Sequence, residues 1–149
     1  MSSRTLVTGA AGFIGRAVSE ALVQHGSRVS ALIIDPQSCN QVSGACSTLY
    51  AGTDQGVYKS TDAGESWNLM NNGLQFGVTA LTLDPQEPDT LYAARVGPVY
   101  KSTDGGASWQ QISILPQANS FATFITVAPA ALYAGNGSGL YKSTDGGTN

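Results

Sequence analysis

The chain has 149 residues, 42% of them hydrophobic and only 11% charged, with a formal net charge of −3. Its seven Lys and Arg are scattered along the whole length, which excludes the clustered positive surface that nucleic-acid binding needs, and no apolar run approaches the ~18–20 residues of a membrane span. Eighteen Gly and periodic apolar positions suit many tight turns between short strands better than disorder.

The first 28 residues differ in kind from the rest. Arg4 to Arg28 opens with a short apolar run, passes through a Gly-rich segment and continues with helix periodicity. Ile14, Ala17, Val18, Ala21, Leu22 and His25 share one face. The expectation over 1–28 is therefore a strand, a Gly turn and a helix that stops at Gly26. His25, the only histidine, falls at the end of the apolar face, which suits a half-buried or capping role. The start lacks a positive region, apolar run and cleavage site in the order of a signal peptide.

Gly9, Gly12 and Gly15 lie between the strand and helix signals. That spacing gives a sharp turn, exposed amides at a helix N-terminus and close approach of backbone to a diphosphate. The string TGAAGFIG, Thr8 to Gly15, resembles the extended short-chain dehydrogenase/reductase family, and the resemblance extends to about Asp35. It implies NAD or NADP on Gly9, Gly12 and Gly15, with Asp35, twenty residues beyond Gly15, at a ribose hydroxyl. The YxxxK pair that such reductases use for proton transfer is absent, since Tyr58, Tyr100 and Tyr141 are each followed directly by Lys.

A second reading competes for Val29–Pro36. VSALIIDP matches VTALTLDP at Val78–Pro85 and, more loosely, FITVAP at Phe124–Pro129. On this reading Asp35 starts a turn after a strand, and it is the reading preferred here. Between Asp35 and Leu49 the first copy carries thirteen residues where the second has six, and Cys39 and Cys46 both fall inside that insertion. They are a disulfide or two free thiols, depending on the compartment. Two Cys without clustered His do not make a metal site.

The remainder repeats. TLYAGTDQGVYKSTDAGESW at Thr48–Trp67 returns as TLYAARVGPVYKSTDGGASW at Thr90–Trp109 and, cut short, as ALYAGNGSGLYKSTDGGTN from Ala131. Lys59, Lys101 and Lys142 set the period at 42 and then 41 residues (101 minus 59, 142 minus 101). Short alternating strands at that period describe four-stranded propeller blades. The expected inner strands are Val29–Ile34, Val78–Leu83 and Ala122–Val127. The second strands carry LYA, the third VYKS or LYKS, and the fourth start at Trp67 and Trp109. The expected units are 29–72, 73–118 and 119–149.

Each unit holds an SxDxG corner between its third and fourth strands: Ser60, Asp62, Gly64 with Trp67; Ser102, Asp104, Gly106 with Trp109; and Ser143, Asp145, Gly147. The carboxylate accepts amides of its own turn, Gly takes positive φ and the Trp packs between blades. The motif resembles the Asp-box, or BNR, repeat of sialidases, sortilin-type receptors, family 74 xyloglucanases and photosystem-assembly propellers, over residues 29–149. The resemblance implies a mainly β, incomplete propeller of about three blades whose Asp boxes are structural. No catalytic residue is assigned to them.

The expected function is a non-enzymatic scaffold or interaction module toward protein or glycan, with no cofactor. Alternatives are a truncated NAD-binding epimerase- or reductase-like protein and a fragment of a glycoside hydrolase. No pair among Glu20, Asp35, Asp54, Glu65, Asp84, Glu87 and Asp89 stands out as the two carboxylates that glycoside hydrolysis needs. Closed propellers have four to eight blades, so the count calls for self-association, a longer gene product or an open arc. The stop inside the third motif favours a fragment.

Overall fold

The structure, a computed structural model, describes residues 26–75, 77–95, 98–112, 124–128, 131–136 and 139–148. The expected strand, Gly turn and helix, with Gly9, Gly12, Gly15 and His25, lie outside these residues. Three antiparallel sheets follow one another along the chain. The first is β1 (Val29–Ile34), β2 (Leu49–Thr53), β3 (Gly56–Ser60) and β4 (Asn68–Leu69), hydrogen-bonded in that order. The second is β5 (Ala80–Leu83), β6 (Leu91–Ala94), β7 (Val99–Ser102) and β8 (Gln110–Ile112). The third is β9 (Phe124–Ala128), β10 (Ala131–Asn136) and β11 (Gly139–Ser143). These are three blades of an open propeller.

Register is the same in every blade: Leu49 pairs with Ser60, Leu91 with Ser102 and Leu132 with Ser143. The period-2 pattern explains why. A slip of one residue would turn Leu and Ala of LYA to the opposite face together, so the apolar pattern fixes the pairing. Two inner strands begin or end away from their expected limits. β5 starts at Ala80, because Val78 N–H turns to the carbonyl of Thr53 in the first blade (2.6 Å) and Thr79 N–H takes Ala94 O (2.8 Å). β9 runs from Phe124 to Ala128. The fourth strands begin one residue after each Trp, whose side chain is committed to the corner and to the core.

The core lies between blades. Tyr50 and Val57 of blade 1, with Leu74 and Val78, pack on Leu81, Leu83, Leu91, Ala93 and Trp109 of blade 2. Ala80, Tyr92, Ala94 and Val99 of blade 2 pack on Leu132 and Ala134 of blade 3. Leu32, Leu49 and Ala51, on the other face of blade 1, form a third cluster with Val29, Ile34, Tyr58 and Trp67. Leu49 and Leu91 are wholly buried, and burying each such side chain contributes about 1.5–3 kcal/mol. A twisted four-stranded sheet has two apolar faces here, which is why both faces read as hydrophobic in sequence and why a blade needs a neighbour.

Candidate functional site

The corners are built from the strand ends upward. Ser60, Ser102 and Ser143 are the last residues of β3, β7 and β11 and are all buried. In blade 1 the Ser60 hydroxyl donates to Asp62 Oδ1 (2.8 Å) and accepts the amide of Gly64 (2.8 Å). Asp62 Oδ1 also accepts the amide of Ser66 (2.9 Å), and Oδ2 accepts its hydroxyl (2.5 Å). Blade 2 repeats the set with Ser102, Asp104, Gly106 and Ser108 at 2.7, 2.9, 2.9 and 2.5 Å. In blade 3, Ser143 donates to Asp145 (2.6 Å) and accepts from Gly147 N–H (2.8 Å), while Thr148 N–H reaches Asp145 (3.0 Å).

These bonds set the electrostatics. The Ser66 hydroxyl, then its amide, then the Ser60 hydroxyl hold the Asp62 carboxyl down to about 2. Ser108 and then Ser102 do the same for Asp104, also to about 2. A carboxylate accepting several donors is stabilised in its charged form. At neutral pH neither is a proton donor, and their lone pairs are committed to the turn.

The two tryptophans divide. Trp109 is only 6% exposed; its indole N–H donates to Met70 O of blade 1 (2.9 Å), and its amide donates to Asn72 O (2.8 Å). Trp67 is half-buried and donates to Gly64 O of its own corner (3.1 Å). Trp109 thus ties one blade to the one before it, as the sequence reading expects of a corner Trp, whereas Trp67 closes on its own turn.

Sequence reasoning missed a second contact at the same corners. Tyr50 and Lys59 are directly paired across β2 and β3, with Lys59 Nζ 5.2 Å from the Tyr50 ring centre. Both donate to the Gly105 carbonyl in the corner of blade 2, the Tyr hydroxyl at 3.3 Å and the ammonium at 3.2 Å. Tyr92 and Lys101 form the same cation–ring pair at 5.5 Å, against Gly146 of blade 3. A cavity of about 280 Å³ adjoins this second pair and is also lined by Asp84, Glu87 and Leu132. The signal was present in the repeat: Tyr and Lys recur nine residues apart in every copy, the separation that the LYA–YKS hairpin brings face to face.

The remaining sequence candidates are placed as follows. Asp35 Oδ1 accepts from Gln37 N–H (2.8 Å) and opens the 3₁₀ turn Pro36–Ser38. Cys39 and Cys46 are joined by a disulfide across the inserted loop. At the end of the blades away from the corners, Arg28, Val29, Ser30, Asp54, Val78 and Arg95 line a groove of about 290 Å³, and Asp54 Oδ1 accepts from Arg28 N–H (2.9 Å). Among the described residues no group of three His, Cys, Asp or Glu is arranged to hold a metal ion. No helix among them is long and apolar enough to cross a membrane.

Comparison with known proteins gives three results. A family model described as the NAD dependent epimerase/dehydratase family matches residues 5–55. No curated protein matches in a sequence search. Among solved structures, an ancestral GH74 enzyme aligns with a TM-score of 0.65 at 22% identity, covering 82% of this chain and 18% of that one. A GH74 enzyme from Niastella koreensis aligns at 0.61 and 26%, covering 79% and 20%. YCF48 bound to D1 peptide aligns at 0.58 and 16%, covering 79% and 42%. The chain therefore spans about a fifth of the length of the GH74 chains.

The epimerase match runs through β1 and β2, which pair antiparallel, Leu32 opposite Ala51 and Ile34 opposite Leu49. A dinucleotide-binding sheet is parallel at that place. Asp35 follows a strand paired antiparallel, and its Oδ1 accepts from Gln37 N–H in its own turn. Over the described part of the match the residues do not fit NAD. The chain is a distant structural relative of the Asp-box propellers, GH74 and YCF48 among them, with an epimerase-like stretch at its start.

Proposed function

We propose that the chain is a non-enzymatic propeller scaffold whose blades present a binding surface to protein or glycan. The observation that carries this reading is the use of the repeated chemistry. The Ser and Asp of the three corners, the motif's only recurrent acidic groups, satisfy the turn amides and one another. Two grooves remain to meet a partner, the cavity beside Tyr92 and Lys101 and the one at the opposite end lined by Arg28, Val29, Ser30, Asp54 and Val78. The structural relatives include both a protein described with a bound peptide and proteins described as enzymes, so either precedent exists for the fold. Incubation with xyloglucan and other β-glucans, read by release of reducing ends, tests the reading together with glycan-array and peptide-array binding. Retained binding to one class without turnover supports it. Turnover abolished by replacing a carboxylate pair overturns it in favour of a glycoside hydrolase fragment.

The family match to residues 5–55 favours a second reading, dinucleotide binding through Gly9, Gly12 and Gly15. Titration of NAD(H) into the intact chain and its Gly12→Trp variant decides it. Saturable binding lost in the variant supports this reading, and its absence in the unmodified chain removes it.

A further inference from the structure

We infer that the cavity between blades 2 and 3 binds a small zwitterion, a free α-amino acid. Tyr92 and Lys101 take its carboxylate, and Asp84 and Glu87 take its ammonium. The inference rests on the scaffold reading above and names the ligand of one of its two grooves.

The two Tyr–Lys pairs that meet a neighbouring corner are sockets for it, but they are not equally satisfied. At the first, the Tyr50 hydroxyl and the Lys59 ammonium both donate to Gly105 O. Asp89 adds a carboxylate there, since a Cβ on Gly105 would stand 3.0 Å from Lys59 Nζ and 3.2 Å from Asp89 Oδ1. At the second, the same point on Gly146 is 3.0 Å from Lys101 Nζ and 3.9 Å from the Tyr92 hydroxyl, and no carboxylate among the described residues comes within 4 Å. Neither the Tyr92 hydroxyl nor the Lys101 ammonium has a hydrogen-bond partner among the described residues, although Tyr92 is only 4% exposed. The hydroxyl of buried Thr90 is unpartnered in the same way. Polar groups held out of bulk water are costly without a partner, and all three residues line the one cavity of about 280 Å³.

The difference between the sockets is written in the turns. Asp84–Thr90 joins Leu83 to its register partner Leu91, whereas only Ala128–Ala131 joins Val127 to Leu132, and Ala130 stands in sequence where blade 2 has Asp89. The shorter turn brings no carboxylate to its corner. The cavity is also lined by two acidic residues of the longer turn. Asp84 Oδ1 accepts from Gln86 N–H (2.9 Å) and Glu87 N–H (3.4 Å), while its Oδ2 and the Glu87 carboxylate have no partner among the described residues. The site thus offers an ammonium and two hydroxyls as donors and two carboxylates as acceptors. A ligand of one charge satisfies one set and is repelled by the other, and a zwitterion meets both. Its walls run from Asp84 to Gly146 on two blades packed against each other, so the site is formed within the described chain.

Isothermal titration calorimetry of the 149-residue chain with glycine, L-alanine, L-glutamine and L-lysine, beside acetate, methylammonium and glucose, is the test. At least one amino acid should bind with a dissociation constant of about 1 mM or tighter, and acetate and methylammonium about tenfold more weakly or worse. Lys101→Met should weaken that binding by about tenfold or more, and Tyr92→Phe by about threefold to tenfold. Lys142→Met, at the exposed lysine of the third pair, should leave it unchanged, with far-UV circular dichroism confirming that each variant is folded. Without ligand, Tyr92→Phe should keep Tm, because the hydroxyl has no partner in the chain, whereas Tyr50→Phe loses its bond to Gly105 and should lower it. The inference is overturned if no amino acid saturates the chain by about 10 mM, if acetate binds as tightly as the amino acids, or if Lys101→Met leaves their binding unchanged. Glucose binding that Lys101→Met abolishes, or equal losses of Tm in the two Phe variants, overturns it as well. Protein or glycan binding on the arrays that persists in those events leaves the scaffold reading standing, so the two fail separately.

Discussion

Replacing Trp109 by Ala removes the largest ring of the interblade core and should be the costliest single truncation at a corner. The ring is 6% exposed and packs with Tyr50, Val57, Leu74 and Leu91. A Trp buries roughly 150–250 Å². At about 25 cal/mol per Å² that corresponds to ~4–6 kcal/mol, and measured Trp→Ala costs run at about 3–5 kcal/mol. Trp67, half-buried and bonded within its own corner, should lose about half as much when truncated. Trp109→Phe keeps most of the apolar contact but leaves Met70 O without its donor, at a cost of about 1–3 kcal/mol. Because the chain has two Trp, each truncation leaves a single Trp, and urea unfolding can be followed by Trp-selective fluorescence and circular dichroism together. Each kcal/mol should lower Tm by about 2–4 °C at this size. The expected order of damage is Trp109→Ala, then Trp67→Ala and Trp109→Phe. Equal losses for the two alanine variants would refute the assignment of Trp109 as the tie between blades.

Other consequences follow from the same corners. Ser102→Ala leaves the buried Gly106 N–H and Asp104 without their shared partner and should cost about 1–3 kcal/mol, with faster amide exchange confined to Gly106 and its neighbours. Asp62 and Asp104 are held at about 2, below the unfolded value of 3.8, so their contribution is fully present above pH ~4 and is lost as pH falls through about 2. Urea midpoints measured from pH 5 to pH 2 should fall across that window, and more shallowly in Asp104→Asn. Gly105→Ala places a side chain at φ 66° under Lys59 and should cost about 1–2 kcal/mol, read by thermal unfolding; the reverse change, Ala63→Gly, should not destabilise. Reducing Cys39–Cys46 opens a loop with a sequence separation of seven and should cost about 2–3 kcal/mol by loop entropy, seen as a lower Tm in dithiothreitol.

Much of the scaffold was legible because its information is local and repeated. The LYA and YKS segments carry period-2 patterns, and the SxDxG corners carry their own hydrogen-bond partners within a few residues, so strand, turn and blade could be read without tertiary contacts. Val29–Ile34 was harder. An apolar run ending in Asp suits an inner blade strand and a dinucleotide-binding strand equally, and only its antiparallel pairing with Leu49–Thr53 distinguishes them. The start of β5 was misplaced because Val78 spends its amide on the neighbouring blade, which no local pattern records. The Tyr–Lys sockets were hidden for the same reason. The pairs are visible as a repeat, but the target of Tyr50 and Lys59 is the backbone carbonyl of another blade, 55 residues from Tyr50. Likewise Trp67 and Trp109 look identical in sequence, yet Trp67 donates within its own corner and Trp109 to Met70 of the neighbouring blade.

The central claim, that β1 opens the first of three antiparallel blades, is tested most directly by cross-strand contacts in an NMR spectrum of the labelled chain. Contacts for the pairs Leu32–Ala51, Ile34–Leu49 and Leu49–Ser60, repeated as Leu91–Ser102 and Leu132–Ser143, are the predicted result. A parallel set joining Val29–Ile34 to Leu6–Val7, with no contacts to Leu49–Thr53, would contradict it and restore the dinucleotide-binding reading.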